Sequence, residues 1–317
     1  MNTLEKTGTE SGKKTERPKL LLIDGMAVLF RAFFATSVHG RFMRNAEGIP
    51  TNAVQGFLGH ALSAQSLFRP THIAVCWDMG AYTFRNDLYE GYKANRPEPP
   101  EEMKPQFDMG RESAYLLGWK SYGMNGVEAD DLIGSLITRW KGEADIMVVS
   151  GDRDLLQLLA PGVRIAFMKK GQTVFDIYTD ERFREEYGFE PGQFVDLKAF
   201  MGDSSDGYPG VKGIGLKTAT GLILEYGSVE GVLQHLEDLK PAVRKKITEQ
   251  LDMLHLSREL AEIDCHVVFD ADMDELEVPE YGPDTVQALE AEGYPTAAKR
   301  LLNLFPETGE QEEWPFS

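Results

Sequence analysis

The chain has 317 residues, 42% apolar and 26% charged, the composition of a soluble globular protein with room for one large domain and a sizeable satellite. No apolar run approaches about 18 residues, which excludes a membrane-spanning helix, and the polar first 18 hold no hydrophobic segment for a secretory signal, so secretion is not expected. The net charge of −18 argues against a uniformly basic surface, but residues 270–317 alone carry thirteen acids against Lys299 and Arg300. Residues 1–18 are expected to be a disordered leader and the protein cytoplasmic. Cys76 and Cys265 make no disulfide framework, and Cys76, inside an apolar run, is expected as a small core residue.

The run Lys19–Ile23 ends in Asp24-Gly25, and a helix is expected from Met26 to Ala35. His72–Trp77 ends in Asp78. Asp145–Val149 leads through Ser150-Gly151 to Asp152 and Asp154, with Leu155–Leu159 expected as helix behind them. Continuous apolar runs separated by helices predict a parallel sheet buried on both faces. Each is followed by an Asp at its carboxyl end, where open α/β sheets place ligands. Taken singly, such an Asp is an ordinary helix N-cap. Val163–Phe167, a Lys169-Lys170-Gly171 turn and Thr173–Tyr178 read as a β-hairpin.

The stretch from Gly126 to Trp140 adds to that acidity. Leu132, Ile133, Leu136, Ile137 and Trp140 line one helix face, and Glu128, Asp130 and Asp131 crowd the opposite flank of the first turn. Carboxylates held this close repel, and protonation or a bound cation relieves them. Between Tyr82 and Pro105, Phe84-Arg85, Tyr89, Tyr92-Lys93 and Arg96 interleave aromatics with bases. That pattern suits a flexible nucleic-acid strand or, equally, a mobile loop folded back on the core.

A second unit starts near Pro191. A helix from Gln193 to Met201 precedes Gly202-Asp203-Ser204-Ser205-Asp206-Gly207, and Pro209–Gly215 then forms a glycine turn into a second helix. Glycines and free helix-start N–H groups suit phosphate, with Lys212 and Lys217 adding charge. Residues 228–262 read as helices.

In order along the chain, Asp24-Gly25 with Arg31, Gly48–Asn52 with Gly56-Phe57, Trp77-Asp78 with Phe84-Arg85, and Tyr92–Arg96 form a series. Glu128–Asp131, Gly151–Asp154 and Gly202–Asp206 running into Pro209–Gly215 complete it. Over about residues 19–300 the chain resembles the bacterial 5′-3′ exonuclease and flap endonuclease family, the 5′ nuclease domain of DNA polymerase I, in a stand-alone form. Two positions depart: Gly207 stands where relatives commonly carry Asn, and Asn86 where a His is often found.

The resemblance implies a PIN-like α/β fold, a mostly parallel sheet flanked by helices, with a helical arch and a helix-hairpin-helix subdomain. The implied layout is a nuclease domain at 19–187 with the arch at about 81–105, a DNA-binding subdomain at 188–262, a return to the nuclease domain at 263–305, and an acidic tail at 306–317. It implies metal ligation by Asp24, Asp78, Glu128, Asp130, Asp152, Asp154, Asp203 and Asp206, with Asp131 alongside. Only oxygen donors are present, so Mg²⁺ or Mn²⁺ fits, two or more ions in all. Lys93, Arg96, Arg31 and Arg85 would position and polarise phosphate. Lys212, Gly213, Gly215 and Lys217 would grip duplex DNA, with K⁺ at the hairpin carbonyls. The expected partner is DNA with 5′ ends or flaps, the expected state a monomer. A non-catalytic DNA-binding module and a PIN-type ribonuclease are the alternatives, separable by metal-dependent cleavage and by RNA against DNA flaps.

Overall fold

The computed structural model describes residues 17–37, 40 and 42–304, so the expectations for the leader before residue 17 and for the tail at 306–317 fall outside it. Lys19–Asp24 forms β1. Leu20 and Leu22 enter one core while Leu21 and Ile23 enter the other, which is why the run is continuous and not alternating. The first lobe continues through α1 (Gly25–Thr36), α2 (Asn52–Phe68), β2 (His72–Thr83), α3 (Phe84–Leu88) and α4 (Lys104–Leu116). It is completed by β3 (Lys120–Gly126), α5 (Ala129–Trp140), β4 (Asp145–Ser150), β5 (Val163–Met168) and β6 (Phe175–Tyr178).

The six strands lie in the order β3-β2-β1-β4-β5-β6, all parallel except the β5–β6 hairpin. The direction of winding reverses between β1 and β4. In an open α/β sheet that switch point opens a crevice beyond the carboxyl ends of the strands.

Several local features depart from expectation. The edge strand β3, Lys-Ser-Tyr-Gly-Met-Asn-Gly, was invisible to hydrophobic patterning because only Tyr122 is buried. Leu155–Leu159 does not form an α-helix; Arg153–Leu158 is a 3₁₀ turn. β2 runs on to Thr83 with a register shift between Asp78 and Thr83, so Asp78 sits within the strand at an irregularity and not beyond its end. The segment expected as a helical arch holds one five-residue helix, α3, followed by turns up to α4.

The second lobe is helical: α6 (Asp180–Tyr187), α7 (Phe194–Met201), α8 (Leu216–Tyr226), α9 (Val229–Gln234), α10 (Pro241–Thr248) and α11 (Leu251–Ala261). The chain then returns. Val278 N–H donates to the Thr71 carbonyl at 2.9 Å, beside the start of β2. The last helices, α12 (Pro283–Ala291) and α13 (Pro295–Leu304), bury Leu289, Tyr294, Ala298 and Leu301 in the core that α2 shares. Burying such large side chains contributes about 1.5–3 kcal/mol each, so this is a firm closure.

Candidate active site

At the switch point the carboxylates gather. Asp24 ends β1 and caps α1, accepting from Ala27 N–H at 2.9 Å and from the Ser150 hydroxyl at 2.6 Å. Asp78 accepts from Ala129 N–H at 2.9 Å, which ties β2 to the start of α5. Asp152 caps the 3₁₀ turn, accepting from Asp154 N–H at 2.8 Å. Burial, then Asp78, push the Asp24 carboxyl up to about 7. Burial, followed by Asp152 and Asp24, drives Asp130 well above the carboxylate range. Burial likewise raises Asp78. Asp24, Asp78, Asp130 and Asp152 therefore share one desolvated, mutually repelling space.

A second group lies beside it, held together by a lysine. Lys198 Nζ sits 2.6 Å from Asp154 and also contacts Asp203, from the last turn of α7. Burial and then Asp152 push Asp154 up to about 7, even against the pull of Lys198. Burial would raise Asp203 too, but the Lys198 and Ser205 hydrogen bonds hold it below its usual value. The Tyr208 hydroxyl is buried without a hydrogen-bond partner, and after burial it is the charges of Asp154, Asp203 and Asp206 that raise its pKa. An orphaned hydroxyl among three acids suits a polar ligand there.

Glu128 joins the two groups. It caps α5 and accepts from the Thr83 hydroxyl at 3.1 Å and Lys93 Nζ at 2.7 Å, with the Tyr92 hydroxyl at 3.2 Å. Burial works to raise it, yet Lys93 and then Arg85 keep it below its ordinary value. Arg96 pairs with Asp206 at 2.6 Å.

Three expected members are engaged elsewhere. Asp131 sits beneath Glu128 and shares Arg85 with it, the guanidinium standing 3.7 Å from the Glu128 carboxylate. Asp131 is fully buried, and both its oxygens accept from Arg85, at 2.8 and 2.9 Å. It also accepts from Asp264 N–H at 2.9 Å and from Glu128 N–H at 3.2 Å, so no lone pair is left for a cation. Arg85, 2% exposed, further donates to the Glu262 and Leu260 carbonyls and has no free face for phosphate. Arg31 donates to the Lys169 carbonyl at the β5–β6 turn, close to His60, whose pKa is lowered to about 4 by burial and then by Arg31.

Lys198, Ser150 and Tyr208 had not been singled out from sequence. Lys198 had one available signal, a cation in the otherwise apolar last turn of α7, five residues before Asp203.

In the second lobe, buried Val211 and Ile214 anchor the glycine turn and leave Lys212, Gly213, Gly215 and Lys217 exposed. Gly213, at φ +88°, turns the backbone, Gly215 caps α8, and Lys246 Nζ donates to the Gly213 carbonyl at 2.8 Å.

These donors fit a hard divalent cation. All are oxygens, and burial with like-charge repulsion raises Asp24, Asp130 and Asp154, the strain a cation relieves. Among the described residues no three acidic, His or Cys side chains converge closely enough to enclose an ion unaided. That is compatible with Mg²⁺, which keeps several waters and takes one or two carboxylates directly.

A parallel sheet with acids converging at its switch point, joined to a helical lobe with an exposed glycine turn, defines a resolvase-like α/β nuclease architecture. Residues 19–188 match the family model of the 5′-3′ exonuclease N-terminal resolvase-like domain, and residues 189–284 that of the 5′-3′ exonuclease C-terminal SAM fold. The chain is 55% identical over 249 residues to the 5′-3′ exonuclease of Bacillus subtilis, covering 78% of this chain and 84% of that one. It is 42% identical over 249 residues to the DNA polymerase I of Bacillus caldotenax, covering 78% of this chain but 28% of that much longer protein. Among solved structures, the T5 D15 protein co-crystallised with metal ions superposes with a TM-score of 0.64 at 22% identity, covering 91% of this chain and 100% of that chain. The catalytic core of Rad2 with a DNA substrate superposes at 0.59 and 13% identity, covering 92% and 93%. The chain belongs to the 5′-3′ exonuclease family and has the fold of the flap endonucleases. Among the described residues no helix is long and apolar enough to cross a membrane.

Proposed function

We propose that this protein is a divalent-metal-dependent nuclease that degrades DNA from 5′ ends and cuts 5′ flaps, acting as a monomer in the cytoplasm in replication and repair. The observation that carries this is the crowding of Asp24, Asp78, Asp130 and Asp152 at the switch point, where burial raises Asp24, Asp78 and Asp130 and repulsion within the group raises Asp24 and Asp130 further. In support, a bacteriophage T5 flap endonuclease of the same fold was crystallised with DNA and metal ions.

Asp24, Asp78, Asp130 and Asp152 would hold one cation, one or two of them directly and the rest through water. Asp154, Asp203 and Asp206 would hold another in the same way, with Glu128 bordering both. Bound Mg²⁺ or Mn²⁺ would supply an activated water and neutralise charge on the attacked phosphate. Lys93 and Arg96, now paired with Glu128 and Asp206, bind and orient the phosphate once they turn to it. Lys212, Gly213, Gly215 and Lys217 hold the duplex backbone without reading its bases. A potassium ion at that turn would share the Gly213 carbonyl with Lys246. Asp131 and Arg85 serve as scaffold.

The test is product analysis on 5′-flap, nicked and blunt DNA, and on an RNA flap, with and without Mg²⁺. Mg²⁺-dependent release of short 5′ products from DNA is expected. Retention on DNA without cleavage would instead support a binding module, and preference for the RNA flap a ribonuclease.

A further inference from the structure

The segment Tyr89–Arg96 lies across the Asp203–Gly207 loop like a strap. Lys93 N–H donates to the Asp206 carbonyl at 2.7 Å, Asn95 Nδ2 to the Ser204 carbonyl at 2.8 Å, and Arg96 to the Asp206 carboxylate at 2.6 Å. Asn86 fixes the near end, accepting from Thr83 N–H at 2.8 Å and donating to the Tyr92 carbonyl at 3.0 Å. Lys93 itself adopts φ +53°, a left-handed conformation that costs a non-glycine residue about 1 kcal/mol or more and persists only where its surroundings hold it.

Gly207 is a point of very close approach. It has φ +80°, and a Cβ placed on it would stand 2.6 Å from the Gly91 carbonyl oxygen, with Asn95 Oδ1 at 3.4 Å and Lys93 N at 3.6 Å. No side chain at 207 leaves room for the strap to lie this low. In that position Lys93 Nζ stands 2.7 Å from Glu128.

We propose that Gly207 is the positioning residue that seats the strap, and that the seated strap competes through Lys93 and Arg96 with a divalent cation for Glu128 and Asp206. The proposal rests on the cation reading of the cleft given above. The apparent affinity for metal is then reduced by the fraction of time the strap is open: a strap closed about nine-tenths of the time weakens it about tenfold.

The test is Mn²⁺ titration followed by electron paramagnetic resonance without DNA, together with mapped tryptic cleavage after Lys93 in metal-free protein; Arg96 precedes Pro97 and is not a tryptic site. The informative variant is Gly207→Asn, because asparagine tolerates the left-handed backbone and removes only the clearance. It is expected to bind Mn²⁺ more tightly, by up to about tenfold, and to be cut faster after Lys93. Asn95→Ala, which removes one strap hydrogen bond from an exposed residue, moves both readouts the same way by less. Parent-like Mn²⁺ affinity and parent-like cleavage in folded Gly207→Asn overturn the proposal. If that variant does not fold, parent-like behaviour of Asn95→Ala overturns it. A parent that binds no Mn²⁺ overturns the cation reading and the competition with it, while the tryptic map still reports the strap.

Discussion

Arg85 grips Asp131 through two hydrogen bonds, at 2.8 and 2.9 Å, in a position where the arginine is 2% exposed and the aspartate fully buried. The pair links α3 to α5, and the Leu260 and Glu262 carbonyls and the Asp264 N–H extend it to the end of α11 and the irregular segment that follows. Breaking a buried pair by removing one partner strands the other's charge and costs about 3–5 kcal/mol. Asp131→Ala is therefore expected to lower the urea midpoint sharply, while the fraction that stays folded keeps the parent's Mg²⁺ affinity. Loss of metal affinity without loss of stability would return Asp131 to the ligand set.

Asp130→Asn and Asp152→Asn are expected to do the opposite. Asp130→Asn removes a carboxyl whose ionised form burial disfavours, and Asp152→Asn removes a charge that acts on Asp130 and Asp154, so the metal-free protein becomes more stable. Each also removes a cation donor, and Mg²⁺-dependent flap cleavage falls by about a hundredfold or more, several kcal/mol of barrier. Thermal melts with chelator and single-turnover assays with Mg²⁺ check the two halves. Near-parent cleavage in both variants would remove the assignment.

The metal-free protein is expected to lose stability as pH rises from about 5 to about 7. Asp24 and Asp154 have an ordinary value of 3.8 and a folded value of about 7, so across this window the native state holds protons that the unfolded chain has released. Stability then falls with pH by linkage. Glu128 and Asp203 are shifted the other way, and their contribution is lost only at lower pH, as the solution passes down through their depressed folded values. Saturating Mg²⁺ should flatten or reverse the slope, because binding expels those protons. Melting curves at pH 5, 6 and 7 with chelator and with Mg²⁺ read this directly, and a chelator curve rising with pH would contradict it.

Lys198 is a cation built into the second group of acids. Lys198→Met leaves Asp154 and Asp203 facing each other uncompensated. The variant is expected to be destabilised in chelator and largely restored by Mn²⁺, which replaces the missing charge. Equal destabilisation in both conditions would mean that the lysine stem's packing is what matters.

Lys212 and Lys217 are exposed on the glycine turn. Changing either to Ala is expected to weaken binding of all duplex sequences alike and to reduce the salt slope of binding by about 0.9 for each phosphate left unneutralised. A sequence-selective weakening in fluorescence anisotropy would contradict binding to the backbone alone.

Much of this was legible from residues alone because β1 and β4 are uninterrupted apolar runs and Asp24, Asp152 and Asp154 stand at their ends. The helix face from Leu132 to Trp140 was equally readable from its spacing. What the spacing could not tell was which way an acid turns. Asp130 and Asp131 are adjacent, but the wheel assigns a flank and not a partner, and the arginine that captures Asp131 comes from 46 residues earlier. β3 was missed since an edge strand needs little apolar surface, and the arch was overstated because its aromatics and bases pack onto the acids through backbone hydrogen bonds that leave no periodic trace.

The return of α12 and α13 to the face of α2 has a consequence for biosynthesis. The ribosome delivers Leu20 and Phe57 long before Leu289 and Leu301, yet Phe57, Leu289 and Leu301 share one core, on the face of β1 opposite Leu20. The amino-terminal half of a nascent chain must therefore wait with part of its apolar face uncovered until Leu289 and Leu301 have emerged, and a message stalled before them would yield a product in need of chaperone protection.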